Sequence, residues 1–186
     1  MITLAKPWIP LEQRFAFRAL MDAWARPGTI AELASWSAPG GAGLCVLATL
    51  CDQGTSLCDL HGQLAAGDSS RLGVTLRDPA NAAEASFILA DGTQDPGAVA
   101  PQRGTLLAPE LGATVVLTGA NFTADGTGLV LQGPGIATTC RISVGGLHPG
   151  WLEARSQWCD FPLGVDLVLC SGSSILCLPR HVRIGA

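Results

Sequence analysis

The chain has 186 residues, with 11 basic and 15 acidic side chains and a formal net charge of −4. Hydrophobic residues make up 48% of the chain and charged residues only 14%, a composition that excludes a disordered protein and is poor in charge for a free-standing soluble monomer. The negative net charge argues against broad, non-specific nucleic-acid binding, and the low charge favours a surface that other proteins cover.

The first predicted element is a helix over residues 11–26. Pro10 suits its first turn, and Pro27 followed by Gly28 ends it. Four apolar residues recur at the spacing of one helix face, which predicts that this face is buried: Phe17, Leu20, Met21 and Trp24.

The next elements are short and separated by glycine and proline. We expect strands over residues 29–36, 55–61 and 86–90, with loops over 37–43 and 92–104. The apolar run 44–51 fits either a buried helix or a buried strand, and the segment 63–72 fits either a helix or a loop.

The later half of the chain is rich in strand patterns. Strands are predicted over residues 113–118, 129–131, 138–144, 165–170 and 175–178, with a short helix over 151–158. Ser171-Gly172-Ser173 lies between the last two strands and indicates a hairpin. Early helices followed by many strands predict an α/β or α+β sheet fold.

The length and the N-terminus set the expected organisation. We expect a single α/β domain over residues 1–186, with the N-terminal helix included. No apolar run approaches the roughly 18 residues of a membrane span, and the N-terminus lacks the basic-then-apolar pattern of a secretory signal. We therefore expect a cytoplasmic protein with neither a membrane nor a nucleic acid as its partner.

The seven cysteines are odd in number and include no C-x-x-C pair, so a disulfide framework is not expected. Most lie in apolar runs, which favours small core residues. Cys45, Cys51, Cys58 and His61 form a tempting metal set, but their spacings do not match the short knuckles of zinc sites. Cys58 with Asp59 and His61 resembles a nucleophile with its base, yet a strand would point Cys58 and His61 to opposite faces. We expect no metal site.

Charged residues in distinctive contexts are the remaining candidates for ligand or interface contacts: Arg18, Arg26, Glu110, Arg141, Asp166 and Arg180. Arginine offers a planar fork that suits phosphate or carboxylate. The alternative is structural, because helix arginines are usually solvated and a carboxylate beside a buried strand usually caps a loop or pairs with an arginine. Spacing alone yields no catalytic set.

Three segments in order resemble a known family. They are FRALMDAWARPGTI (residues 17–30), APELGATVVL (108–117) with LQGPGI (131–136), and FPLGVDLVLCSGSSILCLPRHVRI (161–184). Together they are similar to the H-type component family of the bacterial carbon–phosphorus lyase system, which handles phosphonates. The resemblance runs from about residue 12 to the C-terminus, excludes residues 52–104, and does not include the cysteines.

The resemblance implies an α/β fold with a mixed sheet flanked by helices, similar to the major domain of pyridoxal-phosphate-dependent transferases but without the cofactor site. Lys6 is the only lysine and lies outside the matched segments, so a cofactor aldimine would have no anchor there, and no cofactor is expected. The resemblance further implies a homodimer that joins subunits G, I and J. That assembly supports displacement of adenine from ATP by a phosphonate, which gives a ribose 1-phosphonate 5-triphosphate. It implies no catalytic residue in members of this family.

Three hypotheses follow. The first is an accessory subunit of the phosphonate-processing transferase complex, with an apolar surface in the C-terminal half as its contact. The second is an enzyme that binds a phosphorylated ligand through Arg18, Arg141 or Arg180, with Asp166 or Glu110 as acid or base. The third is a metal-sensing module built on the cysteine and histidine set described above.

Overall fold

The computed structural model describes residues 8–33, 41–123 and 125–185. The helices in these ranges are α1 (Pro10–Ala25), α2 (Gly41–Leu50), α3 (Asp68–Leu72) and α4 (Gly150–Trp158), with 3₁₀ turns at Pro79–Glu84 and Pro109–Leu111. The strands are β1 (Ile30–Glu32), β2 (Ser56–Asp59), β3 (Thr75–Arg77), β4 (Phe87–Asp91), β5 (Thr114–Thr118), β6 (Thr127–Gln132), β7 (Cys140–Val144), β8 (Asp166–Ser171), β9 (Ser174–Leu178) and β10 (Arg183–Gly185). Each described helix is too short or too polar to cross a membrane.

A seven-stranded mixed sheet forms the centre of the fold, in the order β1-β9-β8-β5-β4-β2-β3. Strands β8, β5, β4, β2 and β3 run parallel, whereas β9 and β1 are antiparallel to their neighbours. Parallel strands are covered on both faces and therefore read as continuous apolar runs, as in β5, where Val115, Val116 and Leu117 are all buried. The predicted α/β class, with a mixed sheet flanked by helices, is confirmed.

The sheet separates two apolar cores. Side chains alternate along each strand, so Leu57 of β2 joins one core and its neighbour Cys58 joins the other. Leu20 of α1 and Val46 of α2 pack in the core with Leu57. The opposite core contains Trp151 of α4 and residues of a second, antiparallel sheet of the order β10-β6-β7.

Helix α4 is attached to the sheet by an aromatic pair. Trp151 and Trp158 are buried, with ring centroids 6.4 Å apart in an edge-to-face arrangement. The indole N–H of Trp151 donates to the Gln94 carbonyl over 2.8 Å, which satisfies its one polar atom. The helix predicted over residues 151–158 is confirmed, and it presses a tryptophan pair against the loop predicted over residues 92–104.

The buried face of α1 differs from the predicted one. Ala16, Leu20 and Ala23 are buried, whereas Phe17 and Met21 are 47% and 52% exposed. The helix carries apolar residues around much of its circumference, and the small alanines allow close packing against the core. The periodicity of the large side chains therefore selected the wrong stripe, apart from Leu20.

Several other boundaries shift. The strand expected over residues 29–36 is β1, and residues 34–36 lie outside the described ranges, as do 37–40 of the expected loop. Residues 41–43 of that loop are the first turn of α2, which shows that the ambiguous run 44–51 is helical. Strands β3 and β10 were not predicted, whereas the hairpin at residues 171–173 is confirmed by the pairing of Ser171 with Ser174.

Candidate functional site

Arg180 and Asp166, two of the predicted site residues, lie together and pair with each other. Asp166 is the first residue of β8, and Arg180 follows β9, the antiparallel neighbour of β8. The Arg180 Nη2 atom lies 2.7 Å from Asp166 Oδ2, and the Arg180 backbone N–H donates to Asp166 Oδ1 over 2.7 Å. Both side chains are 15% exposed. This is the geometry of a partly buried, charge-assisted pair.

The guanidinium of Arg180 also holds the loop before β5. Its Nη1 donates to the Pro109 carbonyl, and its Nη2 donates to the Gly112 carbonyl over 3.2 Å. A Cβ atom at Gly112 would collide with the Gly164 carbonyl and with this guanidinium. We call these five residues, Pro109, Gly112, Gly164, Asp166 and Arg180, the Arg180 clamp. Because its charges and donors are engaged within the chain, the geometry favours the structural alternative for Arg180 and Asp166.

The other predicted site residues are more exposed. Glu110 shares a shallow groove of about 380 Å³ with Asp166 and Arg180; we call it the Glu110 groove. The predicted residues that do not line this groove are Arg18 on α1, Arg26 at the end of α1 and Arg141 on β7. All three are exposed. Arg26 pairs with Asp22 over 3.3 Å on the helix surface, an arrangement that contributes little to stability.

A larger cavity lies between α4, the three-stranded sheet and the segment 179–185. Its volume is about 1010 Å³, and we call it the α4 cavity. Its apolar lining includes Leu129, Leu147, Leu152, Phe161 and Ile184. Its ionisable lining consists of His148, Glu153, Arg155, Cys159, Asp160, Arg180, His181 and Arg183. An apolar wall with a few polar groups is typical of small-molecule sites.

Arg155 is the most unusual residue of this cavity. It is 3% exposed, and its Nη2 donates to the carbonyls of Pro179 and Val182 over 2.6 and 3.0 Å. Its Nε is buried without a hydrogen-bond partner among the described residues. None of the ion pairs within the described ranges includes Arg155. Burial lowers the pKa of this guanidinium below its ordinary value, the direction expected for a cation in a poorly solvated place.

Sequence reasoning missed Arg155. An arginine on a helix ordinarily indicates a solvated face, and that interpretation set aside the one available signal. Trp151, Arg155 and Trp158 follow the spacing of a single helix face. A charged residue flanked in this way by two tryptophans was the sign that it would be buried with them.

A second place to look for a site is the carboxyl edge of the parallel strands, where open α/β sheets commonly bind ligands. There the Asp59 carboxylate accepts from the N–H groups of Gln63 and Leu64 over 2.9 and 2.8 Å. His61 Nδ1 accepts from the Asp91 N–H over 3.0 Å. These polar groups build the turns of the chain, and the pocket beside them measures only about 90 Å³. The α4 cavity is therefore the stronger candidate.

Asp91 at the same edge has its own local partners. The hydroxyl and N–H of Thr93 both donate to Asp91 Oδ1, over 2.7 and 2.9 Å. These hydrogen bonds from Thr93 hold the pKa of the Asp91 carboxyl below its ordinary value, with a further contribution from Gln94. Hydrogen bonds to the charged form are sufficient to explain this shift, so it does not indicate catalysis.

The thiols do not converge on one point. Cys45 and Cys51 pack on one face of the central sheet, and Cys58 packs on the other. Burial raises the pKa of Cys45 and of Cys51 to about 12, and it also raises the pKa of Cys58. In the described ranges no group of three or more His, Cys, Asp or Glu side chains is placed to hold a metal ion. The prediction of core thiols is confirmed for the buried ones: Cys45, Cys58, Cys170 and Cys177.

The segments that carry the family resemblance meet in space. Gly112 of the second segment touches Gly164 and Arg180 of the third, within the Arg180 clamp. Gly135 has φ +84°, and a Cβ there would collide with the Ala25 carbonyl and with Pro27 of the first segment. Glycine is required where backbones approach this closely. The shared motifs are thus explained by contacts between distant parts of the chain.

Comparisons with known proteins agree with this interpretation. The family described as "Bacterial phosphonate metabolism protein (PhnH)" matches residues 7–185. A protein of Stutzerimonas stutzeri named as C-P lyase subunit protein HtxG is 42% identical over 178 residues, which cover 95% of this chain and 88% of that protein. The alpha-D-ribose 1-methylphosphonate 5-triphosphate synthase subunit PhnH of Rhizobium meliloti (strain 1021) is 31% identical over 183 residues, which cover 93% of this chain and 90% of that protein.

These matches span the helix α1, both sheets and the Arg180 clamp, and they confirm the resemblance found in the three sequence segments. The chain belongs to the PhnH family of bacterial phosphonate metabolism proteins.

Proposed function

We propose that the chain is an accessory subunit of a carbon–phosphorus lyase core complex that supports phosphonate utilisation. In this role it assists the transfer of a phosphonate onto the ribose triphosphate of ATP, with release of adenine. The carrying observation is the match to PhnH over residues 7–185, together with a relative named as a subunit of the corresponding synthase. The Arg180 clamp supports the accessory role, because its ionisable groups stabilise the fold.

An exposed apolar surface in the C-terminal half supports assembly with other proteins. Leu106, Leu107 and Phe161 are 75%, 98% and 71% exposed, and Leu111 is 53% exposed. Leu106, Leu107 and Leu111 lie on the loop that includes Pro109, and Pro109 and Phe161 line the Glu110 groove together. We call these four exposed residues the Leu107 surface. Large apolar side chains left in water at one place typically mark a protein contact.

A second exposed apolar face lies on α1. Leu11, Phe15, Phe17 and Met21 are between 47% and 54% exposed, although they belong to a helix whose other side is buried. Two such faces suit a subunit with two kinds of neighbour. We propose that the chain forms a homodimer and joins subunits G, I and J of the complex, with these faces as the contacts.

We further propose a cytoplasmic, single-domain protein over residues 1–186, similar in fold to the major domain of pyridoxal-phosphate-dependent transferases but without their cofactor. The only lysine, Lys6, lies outside the described residues. The central sheet, with its run of parallel strands and an antiparallel margin, is consistent with such a likeness.

Co-purification tests the proposal. The chain is expressed together with tagged subunits G, I and J, and the complex is isolated through the tag and sized by chromatography. We expect the chain in stoichiometric amount with its partners. If it elutes only as free protein while G, I and J assemble without it, the subunit assignment fails.

One observation favours a second candidate, a ligand-binding function in the chain itself. The enzyme hypothesis placed ligand contacts on Arg18, Arg141 and Arg180, but none of these combines exposure with a cavity and free donors. Arg18 and Arg141 are exposed and lie outside the α4 cavity, and Arg180 is engaged in its clamp. The α4 cavity with Arg155 provides what those residues lack.

A further inference from the structure

The starting point is a buried cation with no acid beside it. Burying an ionised side chain costs several kcal/mol unless it is paired or fully hydrogen-bonded. The carbonyls of Pro179 and Val182 satisfy one nitrogen of Arg155, whereas its Nε remains buried and without a partner among the described residues. The guanidinium thus keeps a net positive charge and an unused donor at the wall of a cavity, where an anion would stabilise both.

Further cationic groups line the same cavity. Arg183 contributes from β10, His181 from the segment before it, and His148 from the segment before α4. The acids in the lining, Glu153 and Asp160, are both exposed to solvent, so water screens their charge more than it screens that of Arg155. Donors approaching from several elements suit a tetrahedral oxyanion better than a planar carboxylate, which one guanidinium can satisfy edge-on.

The size and the remaining lining indicate an organic ligand. A cavity of about 1010 Å³ is far larger than inorganic phosphate requires and lies at the upper end of small-molecule pockets. Leu129, Leu152 and Ile184 give it apolar walls, against which a ring or an alkyl group would be removed from water.

We propose that the α4 cavity binds an organic phosphate, with the phosphoryl group between Arg155 and Arg183 and the organic part against Leu129 and Leu152. This inference goes beyond the proposed function, because it concerns a ligand of the isolated chain and holds whether or not the chain enters a larger complex.

Calorimetric titration of the full chain with phenyl phosphate, inorganic phosphate and benzoate provides the test. We expect phenyl phosphate to bind with one site per chain and about tenfold more tightly than inorganic phosphate, since the ring buries apolar area. Benzoate carries the same ring on a planar anion and should bind about tenfold more weakly than phenyl phosphate. An absence of heat with phenyl phosphate at millimolar concentration, or equal affinity for benzoate, would overturn the proposal.

Matched arginine variants locate the site. Arg183→Gln should weaken phenyl phosphate binding about tenfold, through loss of a charge-assisted contact. Arg141→Gln is the control, because Arg141 is also an exposed arginine of the three-stranded sheet but lies outside the cavity lining; its affinity should equal that of the parent chain. Both are surface changes that leave the fold intact, so the comparison does not depend on the buried Arg155. Equal affinities in the two variants would contradict the assigned site.

Discussion

At the scale of single residues, Arg180 joins parts of the chain that are far apart in sequence. Its partners Pro109 and Asp166 lie 71 and 14 residues away. Replacement by methionine keeps much of the side-chain volume but leaves the Asp166 carboxylate and two carbonyls without their donor. An uncompensated, largely buried charge typically costs about 3–5 kcal/mol. We expect Arg180→Met to lower the free energy of unfolding by about 3 kcal/mol, measured by urea denaturation.

The matched control for this prediction is Arg26→Met, because Arg26 also pairs with an aspartate but on the exposed surface of α1. That change should cost at most about 0.5 kcal/mol. Similar losses in the two variants would show that the clamp contributes no more than a surface ion pair does.

The thiols make a separate prediction at this scale. Burial raises the pKa of Cys45 and Cys51 to about 12, and only the thiolate is a good nucleophile. In the native chain at pH 8, an aromatic disulfide reagent should therefore react first at the partly exposed Cys140 and Cys159. The other five should react only after unfolding in denaturant, as mass spectrometry of trapped adducts would reveal. Rapid labelling of Cys45 in the folded chain would contradict the burial described for α2.

At the scale of elements, α1 shows where periodicity succeeds and where it fails. The helix and both of its ends were predictable from Pro10 and from the Pro27-Gly28 pair. The buried face was not, since helix positions occupied by phenylalanine and methionine face solvent while Ala16 and Ala23 are buried. Small residues carry little weight in a hydrophobic pattern, yet they determine how closely a helix approaches its neighbour.

Two substitutions on α1 test this correction. Leu20→Ala removes a fully buried side chain and should cost about 2–5 kcal/mol, whereas Met21→Ala removes a side chain that is 52% exposed and should cost at most about 0.5 kcal/mol. Thermal denaturation of both variants at one pH gives the comparison. A larger loss for Met21→Ala would restore the face predicted from sequence.

The remaining elements follow the same logic. Strands with continuous apolar runs or a hairpin signal, such as β5, β8 and β9, were recognisable because burial on both faces leaves a mark on the sequence. Strands β3 and β10 have three residues each, too few for any period, and they exist only because longer strands offer them partners. The same limit applied to the site: Arg155 is functional-looking only after tertiary packing has removed it from water.

At the scale of the whole molecule, the Leu107 surface is the feature that the fold leaves uncovered. Replacing Leu106 and Leu107 together by aspartate places charges in a contact that we propose to be apolar. Recovery with tagged subunits G, I and J should then fall at least about tenfold, because unpaired charges in an interface cost several kcal/mol. Quantitative blotting against the tagged subunits gives the measurement.

Leu76→Asp is the matched control for that experiment, since Leu76 is a leucine with 53% exposure on β3, at an edge of the central sheet. Its recovery should equal that of the parent chain. Undiminished recovery of the doubly substituted chain would exclude the Leu107 surface as a contact while leaving membership of the complex intact.

The central sheet ends on both sides in a strand of only three residues, β1 and β3. An open edge pairs through its backbone, so it accepts almost any extended segment regardless of sequence. β3 gives such a segment few hydrogen bonds, and Pro79 soon after it cannot donate one. The chain is thereby protected from indiscriminate strand addition and amyloid-like growth. Recognition of other chains falls instead to side chains, which can distinguish one neighbour from another.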